Sequence, residues 1–273
     1  MDGVMGPIFT GSMKQRIRQM APLWLLKFRQ NYLINNPQRR YQHLSTKDIF
    51  TKIYEEGAWG ESAGADKKYF SGTGSHNDVI TNTYASAVAK FLTSFPEKPN
   101  VVDLGCGDFT VGSKIRHLCN TYIACDIVES LIDWNRQSYN DRNVDFRVLD
   151  LSEDELPAAD IVFIRQVLQH LSNAHIARAL AQLTKKYRYL VITEHLPSFG
   201  KFTPNLDKPA GASIRTGLNS GVVLTSAPFN LKVAKNLILA EVAEAGDIIR
   251  TNLYVLPSAN GEAGTALEPS RPL

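Results

Sequence analysis

Val101-Val102-Asp103-Leu104-Gly105-Cys106-Gly107-Asp108-Phe109 is the stretch on which the reading of this chain turns. Two β-branched residues run into an acid and then into Gly-Cys-Gly, and a helical pattern follows from about Val111. That order predicts a buried parallel strand ending in a tight turn, with a helix opening over it. Gly105 and Gly107 can take positive φ and let a ligand lie against the backbone. The N–H groups at the start of the helix suit an electron-rich ligand, and Asp103 is placed to bind an ammonium or hydroxyl group. A dinucleotide fingerprint needs glycine where Thr110 stands, and no Gly-Lys-Ser/Thr follows. NAD and a Walker-type phosphate loop are both disfavoured on that ground.

Working outward, Tyr122–Asp126 reads as a second strand ending in an acid, 23 residues after Asp103. In that position a carboxylate can accept both hydroxyls of a ribose. Phe146–Leu151 gives a third strand with Asp150 near its end, and Asp160–Arg165 a fourth, followed by a helical pattern over Gln166–Leu171. Tyr189–Thr193 makes a fifth. Strands alternating with helices predict an α/β fold, a doubly wound and mostly parallel sheet with helices on both faces. Ser45 is the expected N-cap of a helix holding Ile49, Phe50 and Ile53, and Ser172 of the helix after strand four. Asp78–Leu92 reads as a further helix leading into the sheet. From Glu194 to about Leu224 the pattern is irregular, with Asn205, Asp207, Arg215 and Asn219 as its polar members. A run this long without periodicity is expected to carry function, here as a cover over an acceptor. The last strands and a helix of the sheet are expected between Ala227 and Leu256.

With 273 residues the chain has room for one sizeable core and an extension. The expected division is a basic helical extension over 1–46, a catalytic domain over 47–257 and a disordered tail over 258–273. In the extension, Trp24, Leu25, Phe28, Tyr32 and Leu33 form a short apolar face among scattered charges. That stretch, 13–38, fits a helix covering the domain, or a peripheral contact with a membrane surface or partner. No segment reaches the roughly 20 apolar residues of a transmembrane helix, and no signal peptide is recognised. A net charge of +3 gives little reason to expect nucleic acid as a partner. Cys106, Cys119 and Cys125 lack zinc spacing and fall on or beside strands, as buried thiols in a reducing cytoplasm would. No metal is expected, since no His/Asp cluster has ligand spacing.

Asp103-Leu104-Gly105-Cys106-Gly107 resembles motif I of the class I (Rossmann-like) S-adenosylmethionine-dependent methyltransferases. The segments IYEEGAWGES (53–62), SGTGS (71–75), DLGCGDF (103–109), DIVESLIDWNRQSY (126–139), LPAADIVFIRQVLQHLS (156–172) and APFNL (227–231) occur in this order. Together they resemble one bacterial branch of that family, associated with surface-glycan genes. The resemblance covers roughly Lys47 to Leu256. It implies S-adenosyl-L-methionine as cofactor, S-adenosyl-L-homocysteine as product, and a seven-stranded type of sheet. It also implies cofactor contacts from Asp103, Gly105, Cys106, Gly107, Asp108 and Phe109 at the turn. Asp126 and Ile127 would serve the ribose, Asp150 and Leu151 the adenine. Arg165 is a candidate for the donor carboxylate and Trp59 for a cavity wall. Two departures stand out: Ala63–Tyr69 looks like extra loop, and Arg165-Gln166 replaces the Arg-Asp of the branch.

Methyl transfer from a sulfonium is an in-line displacement, so the protein must chiefly align donor and acceptor and exclude water. An oxygen acceptor also needs a base, and His170 and His195 are the candidates that follow strand ends. A glycan or other small polar acceptor fits the loop, with Asn205, Arg215 and Asn219 as expected substrate ligands. Alternatives are a natural product or a carboxylate acceptor held by Arg165 and Arg215, and a non-catalytic binding scaffold. The oligomeric state is left open.

Overall fold

The computed structural model describes residues 41, 43–60, 69–198, 200–257 and 269–270, all within one unit, 40–273. The expected extension helix over 13–38, most of the extra loop at 63–69 and nearly all of the tail lie outside the described residues.

Helix α1 spans Thr46–Glu55, the single turn α2 Thr73–His76, and α3 Asp78–Leu92. Then come β1 (Val101–Leu104), the short α4 (Gly112–Ile115), β2 (Tyr122–Asp126), α5 (Glu129–Ser138), β3 (Asp145–Val148) and β4 (Ile161–Arg165). Helix α6 (Asn173–Lys186), β5 (Tyr189–Pro197), β6 (Lys235–Glu244) and β7 (Asp247–Val255) complete the order. The seven strands run β3-β2-β1-β4-β5-β7-β6. The first five pair in parallel, whereas β7 is antiparallel to both β5 and β6. The doubly wound, mostly parallel sheet is therefore as the alternation predicts.

Period-2 alternation divides the core. Val102, Leu104, Val162, Ile164, Leu190 and Ile192 face one side, under α1 and α6. Val101, Ile161, Phe163, Tyr189 and Val191 face the other, against α3 through Val88, Phe91 and Leu92. Strands buried on both faces need apolar residues at every position, which is why these runs are continuous. The helices start where side chains can cap them. Ser45 Oγ accepts from Asp48 N at 3.1 Å, Asn77 Oδ1 from Val79 N at 2.9 Å, and Ser172 Oγ from His175 N at 3.3 Å.

Three expectations are corrected. The helix after Gly107 is only Gly112–Ile115 followed by a 3₁₀ turn, so it offers little helix terminus to a ligand. Gln166–Leu171 holds a 3₁₀ turn over Leu168–His170 rather than a helix, because Gln166 has a φ of 56°. Strand β5 runs on through Glu194-His195-Leu196-Pro197, since β7 pairs with it along that whole length. Among the described residues no helix lies between β5 and β6, only a 3₁₀ turn at Arg215–Leu218.

Candidate active site

The strand order reverses between β1 and β4, and the crevice at such a switch point is where open α/β sheets bind ligands. A cavity of about 520 Å³ opens there. Its wall takes the turn after β1, the ends of β2 and β4, and the segment after β3. Residues 71–75, α1 with Trp59, and the β6–β7 turn close it.

Of the residues singled out from the sequence, Asp103, Gly105, Cys106, Gly107, Asp108, Asp126, Ile127, Asp150, Leu151, Arg165 and Trp59 all line this cavity, as do His170 and His195. Phe109 does not. Its ring is fully buried edge-on to Tyr122, Tyr139 and Phe146, so it is a core residue at a φ of 58°.

The carboxylates are buried yet not spent. Asp126 accepts Gly107 N and Val128 N, both at 3.1 Å, one on each oxygen, which leaves a lone pair on each. Burial still pushes it up to about 6. Asp103 accepts the Tyr122 hydroxyl at 2.9 Å on Oδ2, and burial pushes it up to about 7. Asp150 takes the Ser152 N–H and hydroxyl on Oδ1, at 2.8 and 2.7 Å. Asp108 differs. Burial alone would raise it, but the His76 hydrogen bond at 2.6 Å and Thr110 N–H hold it below the ordinary carboxylate range. Both of its oxygens are engaged within the protein.

Arg165 donates to Gly74 O at 2.5 Å and Ser75 Oγ at 3.1 Å, lies over the Tyr84 ring, and leaves a buried Nε with no partner. Among the described residues it is the only Lys or Arg lining the cavity. Positive φ at Gly105 and Gly107 is matched by close approach of the protein itself. A Cβ would lie 2.3 Å from Val167 at the first and 2.6 Å from Ser71 Oγ at the second.

The two histidines part company. His170 Nδ1 lies 3.2 Å from Gly211 O and its Nε2 3.4 Å from the Gln169 amide, so Nδ1 donates and Nε2 accepts. Its ring packs on Trp59, and burial drives it down to about 3. His195 donates its backbone N–H to Gln169 Oε1 at 3.2 Å, while its ring Nε2 has no hydrogen-bond partner. Burial lowers His195 too, so both rings are neutral near pH 7.

Asn205, Arg215 and Asn219 do not line the cavity, which corrects the expectation that they face an acceptor. Asn205 donates to Val223 O and Ala227 O and accepts Val223 N, pinning the loop internally. Arg215 is fully buried and donates to Leu206 O and Leu171 O. Asn219 ends the 3₁₀ turn at a φ of 50° and reaches Lys201 O. A long coil must satisfy its own backbone, and these side chains supply the partners that a ladder would have given. The residues missed from sequence are Tyr84, Gln166 and Gln169, and Glu244, Ala245 and Ile249 of the β6–β7 hairpin. The hairpin could be found only by recognising Ala245-Gly246 as a positive-φ turn.

Comparison with known proteins agrees with this geometry. Residues 102–188 match a family described as a methyltransferase domain. No curated protein sequence matches the chain. Magnesium protoporphyrin IX methyltransferase of Synechocystis PCC 6803, solved with S-adenosylmethionine, superimposes with a TM-score of 0.50 at 15% identity, covering 78% of this chain and 98% of that one. The N-terminal domain of EvdMO1 with S-adenosylhomocysteine gives 0.50 at 14% identity over 78% and 98%. N-methyltransferase NodS of Bradyrhizobium japonicum WM9 gives 0.47 at 14% identity over 66% and 88%. Residues 102–188 are thus similar to a methyltransferase domain, and the sheet that holds them is folded as in the first two of these structures.

Proposed function

We propose that this chain is a cytoplasmic S-adenosylmethionine-dependent methyltransferase whose domain spans 47–257 and whose acceptor is a hydroxyl of a sugar or a similar small polar molecule. The observation that carries the reading is the set of carboxylates around the switch point, the buried Asp103 and Asp126 and the half-buried Asp150, each lining one cavity. S-adenosylmethionine would supply an electrophilic methyl group on a sulfonium. The residues fit such a group: Asp126 has a lone pair on each oxygen for ribose hydroxyls, and Asp103 can take an ammonium. The unpartnered Arg165 Nε suits a carboxylate.

Glu244, Gln166, Gln169 and Ser213 line the cavity with hydrogen-bonding groups, and among the described residues no Lys or Arg besides Arg165 lines it. That supports a neutral polyol over a carboxylate acceptor, because Arg215, the cation expected for an acid, does not line the cavity and gives two donors to the carbonyls of Leu206 and Leu171. The resemblance to the surface-glycan branch points the same way. For proton removal the free Nε2 favours His195 over His170, whose ring is held at both nitrogens. Gln169 links the two, receiving the His195 N–H and reaching His170.

Calorimetric titration of S-adenosylhomocysteine into wild type and Asp126→Ala tests the cofactor. Micromolar binding, about −8 kcal/mol, that the variant loses is expected. Transfer of label from methyl-labelled cofactor across neutral, acidic and amino sugars then tests the acceptor, with neutral sugars labelled first. Labelling confined to acidic acceptors would reverse that assignment.

A further inference from the structure

The segment Tyr69–Asn77 crosses the mouth of the switch point, and its bonds run to both banks. On the β1 side, Ser71 N donates to Asp108 Oδ2 at 3.2 Å, while Asp108 N donates to Ser71 Oγ at 2.9 Å. His76 Nε2 donates to the same Oδ2 at 2.6 Å, its ring stacked on Phe70 with centroids 4.4 Å apart. Tyr54 adds a hydroxyl contact to Ser71 at 3.0 Å. On the β4 side, Arg165 holds Gly74 O and Ser75 Oγ. The fit is tight at both ends. A Cβ on Gly107 would lie 2.6 Å from Ser71 Oγ, and one on Gly74 would lie 2.2 Å from Gln166 Oε1.

Asp108 is the hinge of the argument. Only 2% exposed, it lines the cavity from within the cofactor turn, yet Oδ2 is filled by Ser71 N and His76 and Oδ1 accepts Thr110 N. Its filled oxygen serves to join the turn to the segment above it. The same segment contributes Ser71 through Ser75 to the cavity wall. A molecule filling the cavity between the turn and Arg165 is enclosed while these bonds hold.

We infer that Ser71 and His76 are cofactor-positioning residues that act through Asp108, and that residues 69–77 form a strap which must part from Asp108 for cofactor to leave. The inference rests on the cofactor reading above. Hydrogen bonds with a charged partner are the strong ones, so the tie to Asp108 sets the residence time together with the Arg165 contacts at the other end of the strap.

The test is a chase experiment on the full chain, with S-adenosylhomocysteine as the probe, on wild type, Ser71→Ala, His76→Leu and His76→Gln. Expected is binding weaker by about tenfold for His76→Leu, which loses the bond to the carboxylate, and by about fivefold for Ser71→Ala, which keeps Ser71 N on Oδ2 but loses the hydroxyl that accepts Asp108 N, in both cases carried by faster dissociation. His76→Gln places an amide N–H near the position of Nε2 and should recover most of that loss. A purely structural role would lower thermal stability without rescue of the dissociation rate by glutamine. Should His76→Leu fail to fold, Ser71→Ala, which removes one hydroxyl, decides alone. Dissociation rates within twofold of wild type in all variants would overturn the strap. Absence of binding to wild type would instead remove the cofactor reading, and the strap with it.

Discussion

The cavity rim and the loop between β5 and β6 are built from the same polar residue types, and they spend them in opposite ways. At the rim, Asp126 and Asp103 are buried with hydrogen-bonding capacity in reserve and face a cavity. In the loop, Asn205 closes three strong backbone hydrogen bonds and Arg215 caps two carbonyls. Holding a buried carboxylate short of full satisfaction costs stability, as the upward displacement of Asp103 and Asp126 records. A fold tolerates that cost where a ligand completes the set. Polarity alone therefore does not mark a binding loop; buried carboxylates held short of satisfaction at a cavity wall do.

The largest effect that could break this contrast is expected in the loop. Arg215→Met leaves Leu206 O and Leu171 O buried without their donor, and Glu194 without its nearest compensating charge. Denaturant titration should show a loss of about 3–4 kcal/mol, typical of breaking a buried charged network. Affinity of the folded fraction for S-adenosylhomocysteine should stay within twofold. A stable variant with lost affinity would make Arg215 a ligand after all.

At the rim the balance reverses. Asp126→Ala should weaken S-adenosylhomocysteine about hundredfold, about 2.7 kcal/mol, for the loss of two charged acceptors. Stability should change less, because removing a carboxylate that burial already disfavours offsets part of the loss of its bonds to Gly107 and Val128. Equal losses of stability and affinity would mean that Asp126 is only a brace.

Protonation offers a finer test. Asp126 and Asp103 carry folded values raised to about 6 and about 7, so between the ordinary carboxylate range and these values the free protein holds extra protons. A cofactor that needs both groups ionised must expel them. Affinity should be flat above about pH 8 and fall as pH drops through 7 and 6, by about tenfold over one to two units. Titration at pH 7 in buffers of different ionisation enthalpy should show net proton release. Proton uptake, or affinity independent of pH, would remove the two carboxylates from the ligand's contacts.

How much of this was legible beforehand follows from how local each signal is. Val101–Leu104 and Ile161–Arg165 were readable because a strand buried on both faces shows itself in consecutive residues. Ser45 and Ser172 were readable because a cap acts within three residues. Residues from Asp103 to Asp150 that surround the cavity could be collected because parallel strands bring their ends together. Phe109 was misplaced because adjacency to the glycine turn says nothing about which way a residue at positive φ points. Asn205 and Arg215 were misplaced because their partners, at 223, 227, 206 and 171, are set by tertiary contacts. The extension of β5 past Thr193 has the same origin, since its partners on β7, Arg250 to Asp247, lie roughly fifty residues downstream.

The smallest effect lies where the two regions meet, in the β6–β7 hairpin turn. Ala245 sits at a φ of 49°, followed by Gly246 at 88°, and both Glu244 and Ala245 line the cavity. A side chain in the left-handed region costs about 1 kcal/mol, whereas glycine there costs only unfolded-state entropy of about 0.5–1 kcal/mol. Ala245→Gly should therefore be neutral or stabilising by about 0.5 kcal/mol, or about 1 °C in thermal midpoint at this size. If the turn is merely a connector, acceptor turnover will follow that small gain. If it shapes the acceptor end, the loosened turn will raise KM for the acceptor while leaving S-adenosylhomocysteine affinity untouched, since the carboxylates at Asp103 and Asp126 lie on other strands. A loss of stability instead would mean that the alanine methyl packs in the turn, and that the hairpin belongs with the internally satisfied loop rather than with the rim.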